Sequence, residues 1–389
     1  MGSRMYNIKR LGELLKKERE TLGYRKGEVA RKIGFQNYQT LSSIEAGERE
    51  IKAWELFKLA EIYGRKVNYF IPETERPLDP RILWRNPART SGTLKAERRF
   101  IELCQNHKKL LELTENDSIR TLICRLPSLD KVTFRRKGYA YVIELAKEYS
   151  KLLNFGSRPA YCLSDILEQT MGILVLYMDL GPGGSGASTS SGSGDAILIN
   201  SSDAPWRRNY DLAHEFFHIL TWNTFTDEEI YSTRRGAKSE IEQWADIFAS
   251  ETLLPEDELR KEFMRRVSDS KISYIDLVQI ARDFRVSIEA LIWRLVNLKF
   301  LSKAAVSKCL EEERVKKVDR LLRSDDREEE KPFLSTRYVA LAIKALELGR
   351  ISKLKFAEYV GIPFSGVSSF LVKYGYNENE DYSLDFATT

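Results

Sequence analysis

The sequence predicts a mostly α, multidomain chain: an all-α N-terminal module, a central α+β unit built on a small sheet, and a helical C-terminal region. Three observations predict it. At 389 residues the chain exceeds one ordinary domain of about 100 to 200 residues. Apolar residues recur at helical spacing over most of its length, and two short β-rich runs, Gly172 to Tyr177 and Ala196 to Asn200, interrupt that pattern. Composition shifts near residues 72–92 and again near 302, which bounds modules at 1–71, 93–301 and 302–389.

With 42% hydrophobic and 31% charged residues, and a mean hydropathy of −0.39, the chain has material for a water-soluble core. Its longest apolar stretch, Ala290 to Leu301, is interrupted by Arg294 and Lys299 and falls short of the roughly 20 residues that span a bilayer. No basic-then-apolar leader opens the chain, so the expected location is the cytoplasm, with no membrane partner. Cys104, Cys124, Cys162 and Cys309 are scattered without Cys-x-x-Cys spacing, which argues for reduced thiols over a disulfide framework or a cysteine metal site. The net charge of +5 is uneven: residues 1–71 hold 15 Lys plus Arg against 9 Asp plus Glu. Such clustering favours a polyanionic partner for the first module.

That module reads as four short helices. Leu11, Leu14 and Leu15 mark the first, which Gly23 closes; Val29, Ala30 and Ile33 mark the second before Gly34. The third runs from about Tyr38 to Ala46, and the fourth carries Trp54, Leu56, Leu59, Ala60 and Ile62 before Gly64. The run Gly27 to Gly34, followed by Leu41-Ser42-Ser43-Ile44-Glu45-Ala46-Gly47, resembles the helix-turn-helix of XRE-type repressor relatives. By that resemblance Gln36, Asn37, Tyr38, Gln39, Thr40 and Ser43 are the candidate DNA contacts, since the second helix of the pair presents its N-terminal side chains to base edges. The segment from Gly34 to Ser42 is one residue longer than the usual pattern, and Lys26 stands where a Ser or Thr commonly caps the second helix.

Residues 72–92 hold Pro72, Pro77, Pro80 and Pro87 and read as an extended linker that couples its neighbours loosely. Leu94 to Leu113 is an amphipathic helix on which His107, with no metal-like neighbour, reads as a packing or surface histidine. Helices from Tyr139 to Leu153 and Leu163 to Gln169 precede the two strands. Between the strands, residues 183–194 are almost wholly Gly, Ser, Ala and Thr, and read as an engineered flexible linker in place of a native segment.

The chemistry centres on His214-Glu215-Phe216-Phe217-His218 within a helical run, Asp211 to Leu220. Residues four apart share a helix face, so both imidazoles can meet one ion, while Glu215 can act on a water beside it. Two of the chain's three histidines fall at this spacing. A catalytic zinc site has three protein ligands and an open position, and with His107 far upstream the third ligand is expected to be a carboxylate. Helical register leaves Glu240, Glu242 and Asp246 open, with Asp246 also a candidate partner for a histidine ligand.

From about Gly156 to Leu301 the chain resembles the ImmA/IrrE family of metallopeptidases. The matching stretches are Asn209 to His218, Glu242-x-x-Ala245-Asp246-x-Phe248-Ala249 leading into Leu253-Leu254-Pro255, and Phe284-x-Val286-Ser287 leading to Arg294-Leu295. The resemblance implies a zincin-like α+β fold, Zn²⁺ on His214, His218 and Glu242, and Glu215 as the general base. It also implies a repressor-type protein as substrate, in stress, DNA-damage or mobile-element responses. Tyr210, Tyr231 and Tyr274 are candidate oxyanion donors. Family members place a further strand where the Gly/Ser stretch lies, so weakened substrate binding is expected, with zinc binding preserved. The rival reading is a non-proteolytic regulator or antitoxin that uses a peptidase-like domain to grip a ligand or partner.

Beyond residue 302 the chain is highly charged, with a solvated run at Asp325 to Lys331. Val339 to Leu348, Leu354 to Val360 and Val367 to Tyr374 then read as helices, more in keeping with packing or homodimerisation than with a second DNA-contacting unit. The tail after Tyr376 is acidic.

Overall fold

The computed structural model describes residues 8–70, 81–85, 91–114, 129–181, 184–191, 194–232, 238–322 and 333–376. Most of residues 72–92, the Asp325 to Lys331 run, Cys124 and the acidic tail therefore lie outside the described residues. No helix among the described residues is long and apolar enough to cross a membrane.

The N-terminal module is the expected set of helices, α1 (Ile8–Thr21), α2 (Lys26–Ile33), α3 (Tyr38–Glu45) and α4 (Ala53–Ile62). Leu15, Val29, Ile33, Leu41, Ile44 and Leu59 form its core. Helix α1 crosses the end of α3 so closely that a Cβ on Gly12 would lie 2.6 Å from the carbonyl oxygens of Ile44 and Glu45, a contact that only glycine permits. Arg19 locks the same crossing, its Nε 2.6 Å from the buried Glu45 carboxylate.

Helix α5 (Ser91–Thr114) follows, and its first turns are fastened to this module. Arg98 is buried between them, paired with Glu18 and donating to the Tyr63 carbonyl. Lys66 bridges Glu102 of α5 and Glu358 of the C-terminal region at 2.7 and 2.9 Å. The expectation of loose coupling is thus overturned by a buried charge: Arg98 has left water, and its partners must hold it.

The sheet has four strands in the order β1-β3-β4-β2, namely β1 (Leu83–Arg85), β2 (Leu174–Met178), β3 (Gly186–Ser191) and β4 (Gly194–Asn200). Strands β2 and β4 pair in parallel; β4–β3 and β3–β1 are antiparallel. Two expectations are corrected here. Residues 83–85, read as linker, are a strand, and the Gly/Ser stretch, read as flexible, supplies β3 near the centre of the sheet.

The register explains the composition of β3. Gly186 and Ser188 stand opposite Ile199 and Ile197 on one face, and Ala187 stands opposite Leu198 on the other. On the first face lies α9 (Pro205–Leu220), which carries the two histidines and begins with Pro at its first position. A Cβ on Gly186 would come within 3.1 Å of the Leu198 carbonyl oxygen and 3.3 Å of Glu215 Cγ. Larger side chains at Gly186 would push the helix off the sheet, so tight packing accounts for the small residue there.

Beneath α9 runs α11 (Glu240–Leu253), sandwiched between it and α7 (Tyr139–Leu152). Phe216 and Phe217 of α9 pack on Phe248 with ring centroids 5.9 and 5.5 Å apart. Helices α13 (Tyr274–Asp283) and α14 (Ile288–Asn297) close this core. The opposite face of the sheet is covered by α5 and by α17 (Thr336–Glu347) and α18 (Lys353–Val360). The C-terminal helices therefore pack within the chain, and His107 stacks on Tyr338 in that core, where burial pushes its pKa down to about 4.

Candidate metal centre

Helix α9 presents His214 and His218 on one face, one turn apart, and α11 brings Glu242 against them. The N-cap Ser239 accepts from the Glu242 N–H at 3.1 Å, which fixes the first turn of α11 and sets Glu242 within it. Glu240 is exposed. His214 Nε2 lies 3.2 Å from His218 Nε2 and 3.3 Å from Glu242 Oε2, and His218 Nε2 lies 3.1 Å from Glu242 Oε1. A tetrahedral ion with bonds of about 2.0 to 2.1 Å holds its donors about 3.3 to 3.4 Å apart. This triangle fits that separation, and among the described residues it is the group of His, Cys, Asp and Glu able to hold a metal ion.

Asp246, one turn beyond Glu242, has its Oδ1 3.0 Å from His214 Nδ1. With the Nδ1 proton directed at a carboxylate, Nε2 is left with a lone pair facing the triangle. Burial alone would push Asp246 up, but the hydrogen bond and charge of His214, followed by the charge of Arg85, hold it down at about 2. Glu242 is likewise driven up by burial and pulled well below the ordinary carboxylate range by both histidines.

Glu215 is wholly buried and points to β3. Its Oε2 accepts from Ser188 Oγ at 2.8 Å, while Oε1 is buried without a hydrogen-bond partner among the described residues. Burial pushes its pKa up to about 7, against the charge of His218 and the Ser188 hydrogen bond. A carboxyl group balanced near neutrality suits proton transfer in both directions.

Two side chains at this centre lie outside the sequence reading. Ser188 sits in the stretch read as flexible, and Arg85 in the stretch read as linker. The Arg85 guanidinium pairs with Asp211 and lies 3.1 Å from Asp246 Oδ1. The run Ile82-Leu83-Trp84, bracketed by prolines at strand-like length, was the available signal for the second. Of the three tyrosines, Tyr210 donates its hydroxyl to the Asp246 carbonyl at 2.7 Å. Tyr231 is the one that feels Glu215 and Glu242: burial pushes it up to about 12, against the Trp84 N–H bond and helped by the charges of Glu215, Asp227 and Glu242.

In the N-terminal module, Gln36, Asn37, Tyr38 and Gln39 are exposed around the start of α3, and Thr40 and Ser43 are half-buried. Asn37 is the N-cap: its Oδ1 accepts from the Thr40 N–H at 3.2 Å. The cap of α2 is Arg25 and not Lys26 as expected; Lys26 is the first residue of the helix, and it donates to Ser42 Oγ at 2.9 Å and ties α2 to α3.

Fold and site together define a peptidase-like domain of the His-Glu-x-x-His type carried behind a helix-turn-helix module. Residues 168–296 match the family model of the IrrE N-terminal-like domain of peptidase family M78, and residues 15–70 match a helix-turn-helix model. No curated protein matches the chain. The chain therefore carries an XRE-type DNA-binding module upstream of an ImmA/IrrE-like domain, the architecture of a regulator with a peptidase-like unit.

Proposed function

We propose that this chain is a zinc-dependent endopeptidase coupled to a DNA-binding module, cutting a repressor-type protein to control transcription. The observation that carries the reading is the triangle of His214, His218 and Glu242 donors with the buried Glu215 held beside it by Ser188. A zinc ion held there would supply Lewis acidity, polarising the scissile carbonyl and lowering the pKa of a water. Glu215 takes a proton from the attacking water as its oxygen bonds to the carbonyl carbon, and returns that proton to the amine as the C–N bond breaks. Exposed Gln36, Tyr38 and Gln39 would meet base edges, with Asn37, Thr40 and Ser43 completing the start of the recognition helix.

The test is Glu215→Gln, which removes the proton acceptor and keeps the three donors. It is expected to bind one zinc ion per chain like the parent and to lose cleavage of any repressor-type protein that the parent cuts. Unchanged cleavage would sink the mechanism. A second reading, a non-proteolytic regulator that grips a partner, is favoured by one observation: the side chains of His214, His218 and Glu242 are only 0%, 3% and 17% exposed. Operator binding with no proteolysis by any form of the protein would establish it in place of the first.

A further inference from the structure

Strand β3 has β4 on one edge and, on the other, a strand of three residues that arrives from between the DNA-binding module and α5. β1 runs antiparallel, with Leu83 opposite Ser188, Trp84 opposite Ala187 and Arg85 opposite Gly186. On β3, Ser188 donates to Glu215, and a Cβ on Gly186 would press against it. The edge that β1 covers is therefore the edge beside the catalytic carboxylate, and addition of an extended segment to a sheet edge is a general mode of peptide recognition.

Side chains and backbone of β1 reach into the centre. Leu83 and Arg85 share the face of Ser188, and Arg85 spans Asp211 and Asp246, above the support of His214. The Trp84 N–H donates to the Tyr231 hydroxyl at 2.7 Å, so the polar groups of Trp84 turn away from β3. β1 is held on both sides of the centre: Leu83 is buried, Trp84 Nε1 donates to Glu97 at 2.9 Å and Thr189 Oγ1 donates to the Arg81 carbonyl at 2.7 Å, while Arg81 pairs with Asp227, donates to the carbonyls of Trp222 and Phe225 at 3.2 Å each, and stacks 4.6 Å from the Trp222 ring. Arg81 and Asp227 are both solvent-accessible, at 31% and 48% of their side-chain surface, so the charge pair itself adds little to the hold on β1. Were Arg85 to leave, Asp246 would keep Lys238 at 2.6 Å and His214, and the buried Asp211 would keep Arg207 at 3.8 Å.

We infer that β1 is an internal occupant of the peptide-docking edge: it sits on β3 in the seat of an extended substrate, which enters only when β1 leaves. This rests on the peptidase reading and deepens it. The occupant also displays the chemistry that the seat accepts. It is an extended segment with an aliphatic side chain opposite Ser188 and a cation two residues later, met by Asp211 and Asp246.

The test is a cross-strand lock in the full chain, Trp84→Cys with Ala187→Cys. The two positions face each other as a non-hydrogen-bonded pair, whose Cα atoms lie about 4.5 Å apart and lie within disulfide reach. Both face away from α9. The probe is a fluorescein-labelled peptide Arg-Ile-Leu-Trp-Arg, with Arg-Ile-Leu-Trp-Glu as control, titrated into metal-free and zinc-loaded protein. Reduced protein is expected to bind the probe at least about tenfold more tightly than oxidised protein, and to prefer it to the control. Arg81→Ala is expected to bind it about tenfold more tightly than the parent, an increase that a merely structural strand cannot give. Equal binding by oxidised and reduced protein, or no binding by either, overturns the inference. Cleavage of labelled unfolded casein separates the two readings. If the lock switches binding and no form cuts casein, the strand assignment stands and the peptidase reading falls. If casein is cut equally by oxidised and reduced protein, the strand assignment falls and the peptidase reading stands.

Discussion

Replacing Arg294 by Met isolates a buried ion pair that ties the end of α11 to α14. Arg294 on α14 meets Glu251 near the end of α11 through two nitrogens, one of them 2.6 Å from Oε2, and its Nε donates to the Leu254 carbonyl at 3.2 Å. The two side chains are 3% and 5% exposed. Loss of the guanidinium would leave a carboxylate and a carbonyl buried together, and breaking such a pair from one side costs about 3 to 5 kcal/mol. For a unit of this size that lowers Tm by roughly 6 to 20 °C. Burial already pushes Glu251 up, against Arg294. Without Arg294 its folded pKa rises further above the unfolded value, so stability in the variant falls as pH rises through that folded pKa. Thermal melts of parent and variant at pH 5 and pH 8 check this: the loss should be larger at pH 8, and Arg294→Met with Glu251→Leu should recover most of it. A loss under about 1 kcal/mol at pH 8, or an equal loss at both pH values, refutes the reasoning.

Asp246→Ala removes the group that orients His214, and zinc affinity, read by chelator competition, should fall about 10- to 100-fold. Gly186→Ala sets a Cβ against Glu215 and the Leu198 carbonyl and should cost about 1 to 3 kcal/mol in urea unfolding; a neutral result would remove the packing account of the Gly/Ser strand. Glu168 is buried on α8 (Leu163–Gln169), accepts from the Val175 N–H at 3.3 Å and is pushed by burial up to about 7. Its contribution to stability is full below about pH 4.5 and is lost as pH rises through 7. Glu168→Gln should therefore gain about 2 to 3 kcal/mol on the parent at pH 8 and nothing at pH 4.5.

The parts of the site that were legible in the sequence are those whose geometry is local. Four residues of helix bring His214 and His218 together whatever surrounds them, and the apolar periodicity of α1 to α4 needs no distant partner. The third ligand shows where locality ends. Register alone left Glu240, Glu242 and Asp246 open, and only the likeness to a known motif favoured Glu242. In the structure a cap decides: Ser239 starts α11 so that Glu242 faces the histidines, Asp246 reaches the far nitrogen of His214, and Glu240 faces solvent.

The two misread segments share a cause. A Gly and Ser run reads as a flexible linker, yet small side chains are equally what a strand needs when a helix lies almost against it, and composition cannot tell those cases apart without knowing where α9 runs. β1 is three residues between prolines, too short for a period-two pattern, and its partner is a hundred residues away. Pairing across that distance leaves no local mark on either segment. What the two segments share in sequence is only that each looked like a connection. In the fold they lie side by side, one holding Glu215 through Ser188 and the other holding Asp246 through Arg85. The helix α9 thus arrives with its two histidines placed locally, while the groups that hold Glu215, brace His214 and cover the sheet edge come from segments whose role exists only once they are paired.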